Sequence, residues 1–289
     1  MRESLSNKSE SQFVLECEGL EKRFGSVRAL DGLDLSVAEG QIHGFLGPNG
    51  AGKTTTIRAI LGQIHLDAGS IRVFGLDPID SIVDVHRRLA YVPGDTSLWP
   101  GLTGGECIDL LGRLHGRQDS KRREALVELF ELDPTRRTRT YSKGNRQKVA
   151  LIAALACRAD LLLLDEPTSG LDPVMTDRFL QAVRQARDEG ATVVLSSHIM
   201  SEVEALCDAV TIVASGKVAY SGSLRELAGS AHVTIEAEVP GGQGAVRREV
   251  APGEVDAIVA ELLAAGASIK RVEHASLEQI FLGYYREEK

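Results

Sequence analysis

The chain has 289 residues, 43% of them hydrophobic and 26% charged, with a formal net charge of −8. That is enough apolar material for one principal domain and a small appendage, which excludes dominant disorder, while the negative balance argues against a protein that coats nucleic acid, so no nucleic-acid partner is expected. No stretch approaches the roughly 20 apolar residues of a membrane helix: the best candidate, Val149 to Leu164, is broken by Arg158 and Asp160.

Residues 1–12 are polar and Ser-rich with no apolar core that could serve as a secretion signal, and are expected to be a disordered lead-in to a cytoplasmic protein. From Phe13 to about Ala228, short β-branched runs alternate with helical stretches, the pattern of an α/β domain with a largely parallel sheet. Ile42 to Leu46 is the first predicted buried strand. It runs into GPNGAGKTT, which matches the phosphate-loop spacing G-x-x-x-x-G-K-[ST] between a strand and a helix. The predicted nucleotide-binding set is therefore Gly47, Pro48, Asn49, Gly50, Ala51, Gly52, Lys53, Thr54 and Thr55. Its glycines let backbone N–H groups turn inward around phosphate oxygens, and the helix that follows adds its positive end. Lys53 is placed to reach the β- and γ-phosphates of a nucleotide, and Thr54 to offer its hydroxyl to Mg²⁺. The bland alternative is a Gly-rich turn that only links strand to helix.

Residues from about Gly101 to Leu132 read as helical and are assigned to a subdomain inserted at about 95–157. Four leucines, Leu161 to Leu164, then deliver Asp165 and Glu166 at a strand's C-terminal end, where ligands sit in open α/β sheets. Asp165 is expected to hold Mg²⁺ through its water shell, and Glu166 to polarise an attacking water as a general base. Alone, the pair would read as a solvated turn; with the phosphate loop, the catalytic reading prevails. A helix over Val174 to Glu189 and a strand over Val193 to Ser196 complete a β-α-β unit. The four cysteines, Cys17, Cys107, Cys157 and Cys207, lie far apart, so buried thiols are expected rather than a zinc site or disulfides.

Gly229 and Ser230, followed by a Pro-Gly-rich turn at 240–244, set off residues 229–289. Strands are expected at His232 to Glu238 and Ser268 to Glu273. Val255, Ile258, Val259, Leu262 and Leu263 follow helical spacing, and a second helix is expected from Ser276, with Gln279 completing a capping box.

Between the phosphate loop and the carboxylates lies YSKGNRQK, Tyr141 to Lys148, which resembles the L-S-G-G-Q signature of ATP-binding cassette (ABC) proteins. Ser142 and Gly144 are kept; Tyr141, Lys143 and Asn145 are variants. A small hydroxyl and a glycine ahead of a helix beginning near Asn145 make a second anion-binding end, or in isolation a simple N-cap at Ser142. SGLD, Ser169 to Asp172, resembles the family's D-loop, and SSH, ending at His198, its switch histidine against the γ-phosphate. Phe24 resembles the aromatic that stacks on adenine, although a core position would suit it equally.

The resemblance spans about residues 13–228 and implies a P-loop NTPase core with a mostly parallel sheet, an antiparallel β-subdomain, the inserted helical subdomain, and a small C-terminal α/β appendage. It implies an ATPase using ATP and Mg²⁺. Two copies, or this chain and a homologous ABC subunit, would close head to tail, with the signature residues Ser142, Gly144 and Asn145 serving the other subunit's ATP and Asp172 of the D-loop also among the nucleotide-binding residues. It further implies an integral membrane permease partner, with the chain at the cytoplasmic face of the membrane. The wording of TTTIR, YSKGN, TSGLDP and SSHIMSEVE is most similar to bacterial antibiotic and drug export ATPases; an importer ATPase, or a soluble ABC protein acting on ribosomes or DNA, is the alternative. Leu98, Trp99 and Leu102 are expected in the groove for the permease or, for Trp99, in the core. In YVPGD the usual Q-loop glutamine is replaced by Gly94, which leaves either a water-filled, hinge-like site or Asp95 as a substitute metal ligand.

Overall fold

The structure, a computed structural model, describes residues 13–229, 232–238 and 245–286. The lead-in expected over residues 1–12, Ser230 and the turn at 240–244 lie outside the described residues. The chain divides into two compact units, Met1–Ser221 and Gly222–Lys289.

The first unit opens with a hairpin, β1 (Phe13–Phe24) and β2 (Val27–Ala38), enters the buried strand β3 (Ile42–Leu46) and helix α1 (Lys53–Ile60), and returns along β4 (Ala68–Val73). Helix α2 (Ile82–His86) and β5 (Leu89–Val92) lead to three helices, α3 (Gly104–His115), α4 (Ser120–Leu129) and α5 (Lys143–Ala156). Alternation resumes with β6 (Leu161–Asp165), α6 (Pro173–Asp188), β7 (Thr192–Ser197), α7 (Met200–Leu206), β8 (Ala209–Ala214) and β9 (Lys217–Ser223).

Two sheets result. β2-β1-β4 is antiparallel; β5-β6-β7-β3-β8-β9 is parallel from β5 to β8. Strands β3, β6 and β7 are buried throughout, as expected of parallel strands covered on both faces. The antiparallel sheet turns Leu15, Cys17, Leu33 and Leu35 into one core with Ile57 and Ile60 of α1 and Phe45 of β3. All four cysteines are buried free thiols.

Register is what builds the site. Leu46 pairs with Ser197 and Asp165 with Ser196, so β3, β6 and β7 end side by side and release their next residues at one edge. In the helical segment, Thr103 and Glu106 form a capping box at the head of α3, and Gly116 ends that helix at a φ of 77°. The single helical stretch read from sequence is thus broken into α3 and α4 by a left-handed glycine cap.

The second unit contains α8 (Leu224–Gly229), β10 (Val233–Glu238), β11 (Ala245–Val250), α9 (Val255–Ala264), β12 (Ser268–His274) and α10 (Leu277–Arg286). Its antiparallel sheet, β11-β10-β12, turns Val233, Ile235 and Ala237 toward Leu262 of α9. Ser276 and Gln279 exchange the two hydrogen bonds of a capping box, at 3.0 and 3.2 Å. Among the described residues no helix is long and apolar enough to cross a membrane.

Candidate functional site

The loop from Gly47 to Gly52 is shaped by positions where no side chain fits. A β-carbon on Gly47 would lie 2.6 Å from the Val213 carbonyl oxygen, and one on Gly52, at a φ of 111°, would lie 2.8 Å from that of Ala29. Pro48, Asn49 and Gly50 form the exposed rim. The Lys53 ammonium turns back into the loop and donates to the carbonyls of Gly47 (2.6 Å) and Pro48 (3.1 Å). Burial lowers its pKa, against the pull of the Glu166 and Asp165 carboxylates. A cation held only by carbonyls at the head of α1 is poised for an anion.

Thr54 donates its hydroxyl to Oδ2 of Asp165 at 3.3 Å. Burial is the main reason the Asp165 pKa is raised; Thr54 and Lys53 oppose the rise. Glu166 follows at a φ of +47°, in the left-handed region, with its N–H donating to the Ser196 carbonyl at 2.9 Å. That conformation is strained for a residue with a side chain. Its Oε1 stands 3.4 Å from Nδ1 of His198, which leaves the end of β7. Lys53, Thr54, Asp165, Glu166 and His198 thus meet at one sheet edge.

The remaining predicted residues lie around this centre. Ser142 caps α5, its Oγ accepting from the Asn145 N–H at 3.2 Å, and the helix starts at Lys143, two residues ahead of the predicted start. Gly144 is pressed against the D-loop: a β-carbon there would lie 2.4 Å from the Gly170 carbonyl oxygen. Asp172 caps α6 by accepting from the Met175 N–H at 2.9 Å. Phe24 is half exposed, with the Lys22 ammonium 5.6 Å from its ring centroid. It is not a core residue.

Gly94 packs on the end of β6, and its φ is not in the left-handed region that favours glycine, so proximity rather than a hinge conformation accounts for the residue. Asp95 beside it is exposed. Sequence reasoning missed Gln147, which is almost fully buried and holds the same loop from below. Its Nε2 donates to the Pro93 carbonyl at 3.2 Å and its Oε1 accepts from the Thr96 hydroxyl at 2.8 Å. The available signal was slight: an uncharged Gln between Arg146 and Lys148, just ahead of the apolar run that begins at Val149. Next to this loop lies a cavity of about 390 Å³ lined by Leu98, Trp99, Tyr91, Leu111 and His115, among others. Trp99 is 46% exposed and lines this cavity rather than the core; Leu102 instead offers its carbonyl to the Thr138 N–H.

The residues present fit a nucleotide with its metal. A hydroxyl and a buried carboxylate adjoin a loop that closes round the Lys53 ammonium, and no group of three or more His, Cys, Asp or Glu that could hold a metal alone occurs among the described residues. Such a donor pair suits a hard cation that takes its other ligands from phosphates and water.

Comparison with known proteins agrees with this geometry. The family model described as ABC transporter matches residues 30–169. The daunorubicin/doxorubicin resistance ATP-binding protein DrrA of Streptomyces peucetius is 39% identical over 222 residues, covering 75% of this chain and 67% of that protein. The chain belongs to the ABC transporter ATP-binding family. A second ABC relative, the ABC transporter ATP-binding protein NatA of Bacillus subtilis (strain 168), is 40% identical over 207 residues, 70% of this chain and 84% of that one. A solved ATP-binding subunit of an ABC transporter superposes with a TM-score of 0.70 at 30% identity, over 74% of this chain and 91% of that one. As an ABC cassette the chain binds ATP and hydrolyses it to drive transport.

Proposed function

We propose that this ABC ATPase powers export of drugs, antibiotics or similar hydrophobic cargo through a separate membrane permease, to which it binds at the cytoplasmic face. The observation that carries the hydrolytic part is the meeting of Thr54, Asp165 and Lys53 with Glu166 at one sheet edge. The export part is supported by the resistance relatives, of which DrrA is named for daunorubicin and doxorubicin.

In this reading the loop from Gly47 to Thr55 cradles the triphosphate, and Lys53 exchanges its two carbonyl partners for β- and γ-phosphate oxygens. Thr54 and Asp165 would hold Mg²⁺, which would supply charge neutralisation at the phosphates. Glu166 takes a proton from the attacking water as oxygen bonds to the γ-phosphorus and the bond to the ADP oxygen breaks; His198 steadies the γ-phosphate. Phe24 offers its exposed ring to adenine. Ser142, Gly144 and Asn145 present the head of α5 to the ATP of a second copy or a homologous subunit, and closure of the pair moves the permease. Asp172 acts there through the helix it caps.

The test is to isolate the chain from detergent-solubilised native membranes, identify the multi-span protein that accompanies it, and reconstitute the pair in vesicles. ATP-driven extrusion of an apolar dye or drug supports the reading. Recovery on ribosomes or DNA, with no membrane partner, overturns it.

A further inference from the structure

The geometry points to Lys143 as a positioning residue for Glu166: it ties the head of α5 to the turn that carries that carboxylate, within one chain. The inference rests on the reading of Glu166 as general base. Lys143 occupies a variant position of the signature, where the resembled pattern has a glycine that could make no side-chain contact. Here the ammonium donates to Oγ of Ser169 at 2.7 Å. Its stem lies over Gly170: a β-carbon on that glycine would meet Cγ of Lys143 at 3.3 Å and Cδ at 3.4 Å. The Gly170 φ of +84° is one that glycine adopts readily.

Ser169 is in turn joined to Glu166, since its N–H donates to the Glu166 carbonyl at 3.1 Å. Leu171 repeats the pattern on Thr168 at 2.9 Å, and Asp172 closes the segment by capping α6. The two turns therefore fix the backbone on which Glu166 holds its left-handed φ of +47°, and Lys143 grips them at their middle from another element. A displacement of the α5 head is passed through Lys143 and Ser169 to the backbone of Glu166. Because the ammonium is engaged with Ser169 and the stem is laid across Gly170, its role is to hold the turn rather than to bind phosphate.

The experiment is a double-mutant cycle on the full chain with Mg²⁺-ATP, using Lys143→Met, which keeps the stem and removes the ammonium, Ser169→Ala, and both together. Each single change should lower kcat about two- to tenfold, the scale of one hydrogen bond, with the KM for ATP unchanged. The double change should be no worse than the more severe single one, and Lys143→Arg should restore most of the rate. An unchanged kcat in Lys143→Met, effects that multiply in the double variant, or a rise in KM with kcat retained would each overturn the inference. Glu166→Gln measured alongside separates the two readings: normal turnover there removes the general base itself, whereas lost turnover there with a normal Lys143→Met removes only the tie.

Discussion

Gly94 meets Asp165 so closely that a β-carbon on the glycine would stand 3.0 Å from the Asp165 carbonyl oxygen, and 3.4 Å from the Glu166 β-carbon. The loop after β5 is therefore packed directly on the carboxylate-bearing end of β6. Gly94→Ala should push that carbonyl by a few tenths of an ångström and lower kcat about three- to tenfold, since displacements near 1 Å cost on the order of a hundredfold. Gly94→Gln should do at least as much harm and should not sharpen Mg²⁺ use. Asp95→Ala should resemble the wild type, because Asp95 is exposed while it is the neighbouring Gly94 that packs on Asp165. Hydrolysis rates across a Mg²⁺ titration check all three variants.

Asp165 is a buried carboxylate whose charge the fold disfavours. Removing that charge while keeping the shape should stabilise the nucleotide-free protein. Asp165→Asn is therefore expected to raise Tm without nucleotide, to lose the further rise given by Mg²⁺-ATP, and to slow hydrolysis by a factor of about a hundred or more, as loss of a metal ligand does. Thermal melts with and without Mg²⁺-ATP separate these effects.

His43 is buried in β3, with Nε2 2.8 Å from the Thr211 hydroxyl, and burial lowers its pKa to about 4. The folded chain keeps the imidazole neutral where the unfolded chain, at about 6.5, takes a proton. Stability from this group is thus full above pH 6.5 and falls as pH drops toward 4, by about 3 kcal/mol at the limit. The acid-side loss in denaturant midpoint between pH 7 and 4.5 should be smaller in His43→Gln than in the wild type.

Trp99 lines the cavity beside Leu98 and is 46% exposed, so it contributes little to the core. Trp99→Ala should leave Tm within about 2 °C of wild type. It should also weaken capture of the membrane partner by about thirtyfold, the loss expected when a central aromatic anchor is cut back. A large fall in Tm with capture retained would return Trp99 to a structural role.

The legible parts of the fold were those with a repeating physical constraint. Strands β3, β6 and β7 are apolar runs because both their faces are covered, and α6, expected from Val174 as a helix-length segment, begins one residue earlier at Pro173. Strand β11, Ala245–Val250, was not legible: AVRREV carries two arginines and a glutamate on a sheet edge, where burial does not impose alternation. In the site, Lys53 and Thr54 were readable because their spacing is that of a phosphate loop, and Asp165 because it ends the buried leucine strand β6. The contacts of Gly94 with Asp165, of Gln147 with the loop at Pro93 to Thr96, and of Lys143 with Ser169 join residues far apart in sequence. The first arises from the pairing of β5 with β6, and the other two from packing of α5 on the loops that follow those strands.

In the proposed mechanism Glu166, which stands beside His198 at the end of β6, takes the proton from the attacking water. The most direct measurement is single-turnover hydrolysis of Mg²⁺-ATP by Glu166→Gln, with ATP affinity measured on the same sample. The account predicts affinity close to wild type and a chemical step slowed by roughly a hundredfold or more, the share of a general base. A chemical step at the wild-type rate, with ATP bound normally, would contradict it.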